Sequence, residues 1–197
     1  MHNIAVFASG NGTNFENIAR HFATVTDIRV ALLVCNHTDA PVMQRAARMG
    51  VPQVVMTRGE LNDGHTATNT LDTYAVDFIV LAGFLLMIPA VLIKQYDKKI
   101  INIHPSLLPR HGGKGMYGMH VHEAVKAAGD NITGITIHYV NETCDGGDII
   151  FQASTDVDNA DTPEDIARKV HVLEQKYYPD IIERTVRAAE RTFIGQH

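Results

Sequence analysis

Short apolar runs alternate along the first half of the chain with segments whose apolar residues recur at helical spacing. The apolar runs predict buried β-strands at Asn3–Ala8, Ile28–Val34, Val51–Met56 and Asp77–Ala82. A helix is predicted after the first run, where Phe15, Ile18, Ala19 and Phe22 recur three or four residues apart. The run after Asp77 is apolar on both faces, as central parallel strands are. The alternation therefore predicts an α/β fold with a doubly wound, mostly parallel sheet.

The second half of the chain predicts a different strand arrangement. Ile132–Val140 and Asp148–Val157 flank a turn-rich loop, Asn141–Gly147, so we expect the two strands to pair antiparallel. A capping threonine, a proline and acidic residues at Thr162 and beyond predict the start of a long C-terminal helix. Pro179 lies within that helix and is expected to kink or interrupt it.

Two polar segments interrupt the alternation. Arg58–Thr70 is weakly patterned and predicts a loop that leads into a helix through Leu71 and Tyr74. Arg110–Gly118 contains four glycines and predicts a mobile or tightly folded loop. A further helix is predicted from Met119 to Ala128.

Composition narrows the classes of protein. The chain of 197 residues is 45% hydrophobic and 20% charged, and it is expected to form a single domain over 1–197, with an N-terminal half over 1–100 and a C-terminal half over 101–197. Its net charge of −5, without a run of Lys or Arg, argues against nucleic acid as a partner. The sequence shows neither a signal peptide nor an apolar run long enough to span a membrane, so we expect no membrane partner. The cysteines Cys35 and Cys144 lack metal or redox spacing, which favours a cytoplasmic location.

Ser9–Asn14 follows the first predicted strand directly and opens a helix. Unpaired N–H groups at a helix N-terminus bind anions, and the two glycines would let the backbone approach a phosphate. Thr13 and Asn14 could add side-chain donors. The stretch lacks the third glycine of a dinucleotide fingerprint, because Phe15 stands there, and no Gly-Lys-Ser/Thr follows. A capped turn explains these residues as well as a phosphate site does.

The stretch Ile100–Pro109 combines a buried strand with polar residues at its end. Residues two apart in a strand share a face, so Asn102 and His104 point the same way, at the edge where open α/β sheets bind ligands. Asp145 stands in the later glycine-flanked loop. An amide and a protonated imidazole can stabilise a tetrahedral oxyanion, and a carboxylate can keep the imidazole charged. These residue types suit acyl transfer to an amine.

Other candidates keep a structural interpretation beside the functional one. Ser106 could pair with His104 as a nucleophile, but no nucleophile-elbow pattern surrounds it. The apolar stretch Gly83–Pro89 could be a buried connection or one wall of a ligand pocket. Glu174 lies at the edge of the buried face of the C-terminal helix, where a carboxylate is usually a surface group but could reach a ligand amine.

Several motifs resemble those of one enzyme family. Asn102–Pro109, Asp145–Gly147 and Ala82–Phe84 resemble the signatures of the formyltetrahydrofolate-dependent formyltransferases and hydrolases. Ser9–Asn14 narrows the resemblance to the branch that formylates glycinamide ribonucleotide. The resemblance covers nearly the whole chain. With 197 residues, neither the extra C-terminal domain of a methionyl-tRNA formyltransferase nor the regulatory domain of a hydrolase is expected.

The resemblance implies a Rossmann-like formyltransferase fold, 10-formyltetrahydrofolate as co-substrate, glycinamide ribonucleotide as acceptor, and no metal. Asn102, His104 and Asp145 would catalyse, with Asp145 raising the pKa of His104. The implied substrate contacts are Asn11, Gly12, Thr13 and Asn14 at the phosphate and Glu174 at the ribose or amino end. The implied folate contacts are Leu85, Leu86, Met87, Ile88, Asn102, Val140, Asn141, Glu142 and Asp145.

The chain departs from the family pattern in its folate segment. Relatives commonly carry a basic residue in this loop, but none lies between Phe84 and Pro89. Arg58 is a candidate for the arginine that many relatives use near the folate. A formyltetrahydrofolate hydrolase and a non-catalytic folate or sugar-phosphate sensor stay as alternatives. The sequence leaves the oligomeric state open, with a homodimer as one expectation.

Overall fold

The computed structural model describes residues 1–194, with side chains to residue 189, so that 195–197 of the expected domain lie outside the described residues. In this part of the chain the strands are β1 (His2–Phe7), β2 (Ile28–Cys35), β3 (Gln53–Val55), β4 (Phe78–Leu81), β5 (Ile100–His104), β6 (Ile132–Tyr139) and β7 (Ile149–Asp156). The helices are α1 (Thr13–Phe22), α2 (Pro41–Arg48), α3 (Arg58–Asp63), α4 (His65–Thr73), α5 (Ala90–Gln95), α6 (Met119–Ala127) and α7 (Pro163–Ile194). No helix among residues 1–194 is both long enough and apolar enough to cross a membrane.

All the described strands form one sheet in the order β3-β2-β1-β4-β5-β6-β7. The pairs from β3 to β5 are parallel, whereas β6 and β7 join antiparallel. The predicted fold class and antiparallel strand pair are thus confirmed. The chain runs outward in both directions from the boundary between β1 and β4. Such a switch point leaves a crevice at the carboxyl ends of the strands, which is where open α/β sheets bind ligands.

Hydrophobic residues on the two faces of the sheet form two separate cores. Ile4 and Val6 of β1 belong to the core under α1 and α7, whereas Ala5 and Phe7 belong to the core under α3, α4 and α5. Because side chains alternate in direction along a strand, an unbroken apolar run supplies both cores. Burying both faces fixes the sheet, and with it the strand ends that carry the polar residues.

The segment 58–70 corrects the prediction of a loop, because it forms α3 and part of α4. Thr57 and Glu60 make a capping box: the Thr57 hydroxyl accepts the Glu60 N–H at 3.3 Å, and the Glu60 carboxylate accepts the Thr57 N–H at 2.8 Å. Asp63 accepts the Thr66 N–H at 3.1 Å in the next turn. These side chains accept hydrogen bonds from backbone N–H groups at the starts of the helices, so helices form without a marked amphipathic pattern.

Helix α7 continues through Pro179, so the predicted interruption is wrong. Proline has no N–H, which leaves the carbonyl of Gln175, four residues earlier, without its helical donor. The Asn17 side chain of α1 donates to that carbonyl at 2.8 Å. A neighbouring helix thus replaces the missing bond, and the proline marks the place where α1 docks on α7.

Tyr178 ties α7 to the carboxyl end of β4. Its side chain is fully buried, and its hydroxyl donates to the carbonyl of Leu81 at 2.7 Å. Burial raises the pKa of Tyr178 well above its ordinary value, so the hydroxyl keeps its proton and remains a donor. The contact holds the C-terminal helix against the strand that lies between β1 and β5.

Replacing Tyr178 with Phe should lower the free energy of unfolding by about 1–2 kcal/mol, because a buried carbonyl loses its donor while the ring still fills the core. Urea denaturation measures the change. Tyr177→Phe is the matched control, since Tyr177 packs against Phe151 and its hydroxyl has no hydrogen bond among the residues that the structure describes. Equal midpoints for the Tyr178 variant and the unaltered protein would contradict this role.

Candidate active site

Asn102, His104 and Asp145 meet at the carboxyl end of β5. His104 Nδ1 lies 3.5 Å from Asp145 Oδ2, and the two side chains are only 4% and 10% exposed. Asp145 comes from the loop between β6 and β7, so the antiparallel part of the sheet returns it to β5. The sequence placed these residues in separate motifs, and the fold brings them into one buried cluster.

His138 is a member of this cluster that sequence reasoning did not assign. It lies on β6 directly opposite Asn102, with its Nε2 atom 3.2 Å from the Asn102 amide nitrogen and 3.7 Å from Asp145 Oδ1. Its Nδ1 atom lies 2.8 Å from the carbonyl of Tyr139, which can only accept a hydrogen bond. Nδ1 therefore carries the proton, and Nε2 accepts from the Asn102 amide. His138 thus orients the Asn102 amide nitrogen, and the second N–H of that nitrogen remains able to donate to a ligand.

The loop that carries Asp145 is tightly built. Asp145 itself has a φ of 54°, in the left-handed region that residues with a Cβ seldom adopt. A Cβ atom at Gly147 would lie 2.7 Å from the carbonyl carbon of Tyr139, so only glycine fits beside the end of β6. The N–H of Gly113 donates to Asp145 Oδ2 at 2.9 Å. The carboxylate is therefore fixed by backbone geometry on both sides.

The two nitrogens of His104 face different acceptors. Nε2 lies 2.8 Å from the carbonyl of His111, so this nitrogen carries a proton, and Nδ1 faces Asp145. Burial lowers the pKa of His104, although the Asp145 carboxylate and the His111 carbonyl act to raise it. Asp145 thus acts in the expected direction, but burial outweighs it, so the pKa of His104 lies below its ordinary value. That His104 acts as a charged group stays a prediction.

The surroundings of Asp145 favour its charged form. Burial raises the pKa of this carboxyl, but the side chains of His138 and His104 and the N–H of Gly113 lower it further, so the pKa lies below its ordinary value. Asp145 is therefore a charged carboxylate beside an imidazole whose pKa is lowered by burial. That imidazole can take up a proton at Nδ1, where the carboxylate would stabilise it.

Ser106 does not have the geometry of a nucleophile. It is fully buried, and its hydroxyl donates to the carbonyl of Arg110 at 2.6 Å. Thr136 of β6 accepts the N–H of Leu108 at 2.9 Å and donates to the carbonyl of Ser106 at 2.7 Å. These hydroxyls hold the turn after β5 in place, which is the structural role that remains for Ser106.

The turn after β1 begins α1 and connects directly to α7. Gly12 is the residue before the helix, with a φ of 78°, and Thr13 is the first helical residue. Asn14 donates to the Glu174 carboxylate at 3.0 Å, which joins the predicted phosphate turn to the predicted ligand carboxylate. Asn11 is held by Arg45, which donates to its carbonyl at 2.7 Å. Only β4 lies between β1 and β5, so this turn and the cluster follow strands that are about 10 Å apart in the sheet.

Glu174 faces other side chains rather than open solvent. His171 Nδ1 lies 3.1 Å from its carboxylate, and this contact raises the pKa of His171. His122 of α6 is buried, and its Nδ1 atom has no hydrogen-bond partner among the described residues. Burial lowers the pKa of His122, and the nearby charge of Glu174 opposes that shift. Glu174 is therefore held against the start of α1 by Asn14, and its contact with a ligand stays a prediction.

The apolar loop after β4 is partly core and partly open. Ile88 is buried, whereas Leu85 and Met87 are each 55% exposed. Leu86 and Val140, one from each predicted folate segment, both pack against the second core. A cavity of about 540 Å³ opens beside them, and it is lined by Asn36, His37, Thr57, Arg58, Leu85, Leu86 and Tyr117.

Two further predicted folate residues lie in the loop between β6 and β7. Asn141 and Glu142 are exposed, and the Asn141 amide donates to the carbonyl of Gly146 at 3.0 Å, so it shapes the loop that carries Asp145. Within the residues that the structure describes, no group of three or more His, Cys, Asp or Glu side chains is arranged to hold a metal ion.

Residues 2–182 match the formyl transferase family. The chain is 40% identical over 185 residues to the chloroplastic phosphoribosylglycinamide formyltransferase of Arabidopsis thaliana, covering 91% of this chain and 63% of that protein. It is 39% identical over 189 residues to phosphoribosylglycinamide formyltransferase of Bacillus subtilis, covering 93% and 94% of the two chains. A crystal structure of glycinamide ribonucleotide transformylase 1 from Geobacillus kaustophilus superposes with a TM-score of 0.83 at 37% identity, covering 92% and 97%. The chain thus spans less than two thirds of the plant relative.

Replacing Gly12 with Ala should destabilise the protein by about 1–3 kcal/mol, because the left-handed backbone alone costs that much for a residue with a Cβ. The added Cβ would also lie 2.6 Å from Cβ of Val42. Thermal or urea unfolding measures the loss. Gly10→Ala is the matched control in the same turn, since a Cβ there meets no atom within 4 Å. Equal losses in both variants would show that the turn lacks this constraint.

Proposed function

The chain belongs to the formyl transferase family, and we propose that it transfers the formyl group of 10-formyltetrahydrofolate to the amine of glycinamide ribonucleotide, in purine biosynthesis. The observation that carries the proposal is the convergence of Asn102, His104 and Asp145 at the end of β5, one strand away from the anion-binding turn after β1. The named relatives that match along most of the chain support the same acceptor.

The acceptor, glycinamide ribonucleotide, extends from the turn after β1 to the cluster of Asn102, His104 and Asp145. Gly12, Thr13 and Asn14 hold its phosphate through the unpaired N–H groups at the start of α1 and the Asn14 side chain, with Asn11 beside them. Glu174 contacts the ribose or the amino end. Its hydrogen bond with Asn14 supports this assignment, because Asn14 belongs to the phosphate turn and the Glu174 carboxylate therefore lies beside that turn.

The formyl donor enters from the side of β4 and β6. Its pterin is held by the apolar loop after β4 and by the loop that carries Asp145. The proposed contacts are Leu85, Leu86, Met87, Ile88, Asn102, Val140, Asn141, Glu142 and Asp145. Arg58 lines the adjoining cavity with Leu85 and Leu86, which supports a contact between its guanidinium and an acidic tail of the folate.

The amine attacks the formyl carbon directly, and the bond between that carbon and N10 of the folate then breaks. Overall, the amine loses one proton and N10 gains one. The second N–H of Asn102 and a protonated His104 donate to the oxyanion that forms on the way. His104 Nδ1 lies 3.5 Å from Asp145, farther than in a charged hydrogen bond of about 2.8 Å, so a substrate oxygen can approach this nitrogen. Neither a metal nor an enzyme-bound acyl group takes part.

The proposal extends to organisation and location. In the single domain over 1–197, the half over 1–100 binds the phosphate and the half over 101–197 carries the catalytic residues. Both cysteines are free thiols, which fits the reducing cytoplasm. Glycinamide ribonucleotide and formyltetrahydrofolate are the small-molecule partners, and a homodimer is the assembly to test by light scattering.

Formyl transfer by the purified protein should require both substrates. The release of tetrahydrofolate is followed with and without glycinamide ribonucleotide, and bound ligands are measured separately by calorimetry. We expect release only when the acceptor is present, because the acceptor supplies the amine that attacks the formyl carbon. Equal formate release without the acceptor would identify a hydrolase. Binding of both ligands without turnover would identify a sensor, and either result would overturn the proposal.

Replacing His104 with Ala, or Asp145 with Asn, should lower kcat by about 10²–10³-fold with little change in KM, as loss of an oxyanion donor does. Steady-state kinetics with both substrates varied gives the two constants. His65→Ala is the control, because His65 is an exposed histidine at the start of α4, away from the crevice. A raised KM with unchanged kcat would assign these residues to binding instead.

A further inference from the structure

Asp130 and His111 form a contact behind the catalytic cluster. His111 Nε2 lies 2.6 Å from Asp130 Oδ2, and the other carboxylate oxygen pairs with the guanidinium of Arg110. The side chains of His111 and Asp130 are 16% and 7% exposed, so water competes weakly for this contact. His111 lowers the pKa of Asp130, which keeps the carboxylate charged. Asp130 follows α6, whereas His111 follows β5, so the contact joins two elements.

The backbone of His111 points into the cluster. Its φ of 52° lies in the left-handed region, which residues with a Cβ rarely occupy without outside support. Its carbonyl accepts from His104 Nε2 at 2.8 Å. One residue therefore binds Asp130 with its side chain and His104 with its main chain.

We infer that Asp130 and His111 are a positioning pair, which holds the His111 carbonyl against His104 Nε2 and so decides which ring nitrogen of His104 carries the proton. With the proton on Nε2, the other nitrogen faces Asp145 and can take up the proton used at the oxyanion. Without the carbonyl, the ring can carry its proton on Nδ1 instead and turn toward Asp145. The effect on rate rests on the proposed function, whereas the effect on the tautomer does not.

The surroundings of His104 make the carbonyl decisive. The titratable groups that face its ring are Asp145 from the loop before β7, His138 from β6, His111 from the turn after β5 and His122 from α6. Asp145 faces Nδ1 and favours a proton on that nitrogen, whereas the carbonyl of His111 faces Nε2 and favours a proton there. Among the groups that the structure describes, the acceptor at Nε2 is the carbonyl of His111. Its loss should also lower the pKa of His104 further, because that carbonyl acts to raise it.

The test combines ring NMR with kinetics on the full chain. The variants His111→Phe and Asp130→Ala each remove the contact. Asp130→Asn keeps an acceptor oxygen for His111 and serves as the rescue. Arg110→Met is the matched control, because it removes the other partner of Asp130 and leaves the carbonyl of residue 111 in place. Nitrogen-15 shifts of the histidine rings give tautomer and titration, and a His104→Gln variant identifies the signals of His104.

We expect His111→Phe and Asp130→Ala to shift the His104 signals away from the Nε2–H form and to lower its titration midpoint. Loss of one hydrogen bond corresponds to about a 3- to 10-fold lower kcat, with KM nearly unchanged. A double variant should lose no more than either single one, because the two residues act as a unit. Asp130→Asn and Arg110→Met should keep the spectrum of the unaltered protein.

Unchanged His104 tautomer and titration in folded His111→Phe and Asp130→Ala variants would overturn the inference. If His111→Phe does not fold, the comparison of Asp130→Ala with Asp130→Asn decides in its place. Because the spectra need no turnover, a protein without formyl transfer would refute the proposed function while the spectra still decide this point. A fall in stability with an unaltered His104 spectrum would assign the pair a purely structural role.

Discussion

His104 is buried between two hydrogen-bond acceptors, and the rest of the site follows from how these acceptors are held. A buried imidazole without partners is costly, whereas a neutral imidazole between a carbonyl and a carboxylate donates to one of them and leaves its other nitrogen able to take up a second proton. The carbonyl belongs to His111 and the carboxylate to Asp145. Each comes from a loop in which a residue with a Cβ adopts a positive φ, so the surrounding structure supports both strained positions.

The topology explains why this arrangement lies near the turn that is proposed to bind phosphate. Five parallel strands place the turn after β1 and the end of β5 at the same edge of the sheet, with β4 between them. Antiparallel β6 ends beside the start of β5, where Tyr139 lies opposite Ile101, and the loop that follows it brings Asp145 to His104. Helix α7 brings Glu174 against Asn14, and its docking depends on the bond from Asn17 to the carbonyl that Pro179 leaves free. Three parts of the chain thus meet in one crevice.

Periodicity and motif order were sufficient for the sheet, because apolar runs and strand ends depend mainly on local residues. Asn102 and His104 could be placed on one face by alternation alone. His138 could not be assigned, because its place beside Asn102 depends on the register between β5 and β6, which no local pattern states. The helix α3 was missed because its stability comes from the Thr57 capping box rather than from an amphipathic stripe. The continuity of α7 through Pro179 depends on a side chain far away in sequence.

The direction of the His104 pKa also needed the structure, since burial and the neighbouring carboxylate oppose each other and only geometry decides which prevails. The outcome suits the proposed reaction. A group that is charged at rest would stabilise the ground state and the transition state alike, which adds little to the rate. A neutral imidazole that gains its proton as the oxyanion develops stabilises the transition state selectively, because the new negative charge raises its proton affinity at that moment. The ionised carboxylate of Asp145 stabilises the proton once it is on His104 Nδ1, while Asp145 itself stays unprotonated.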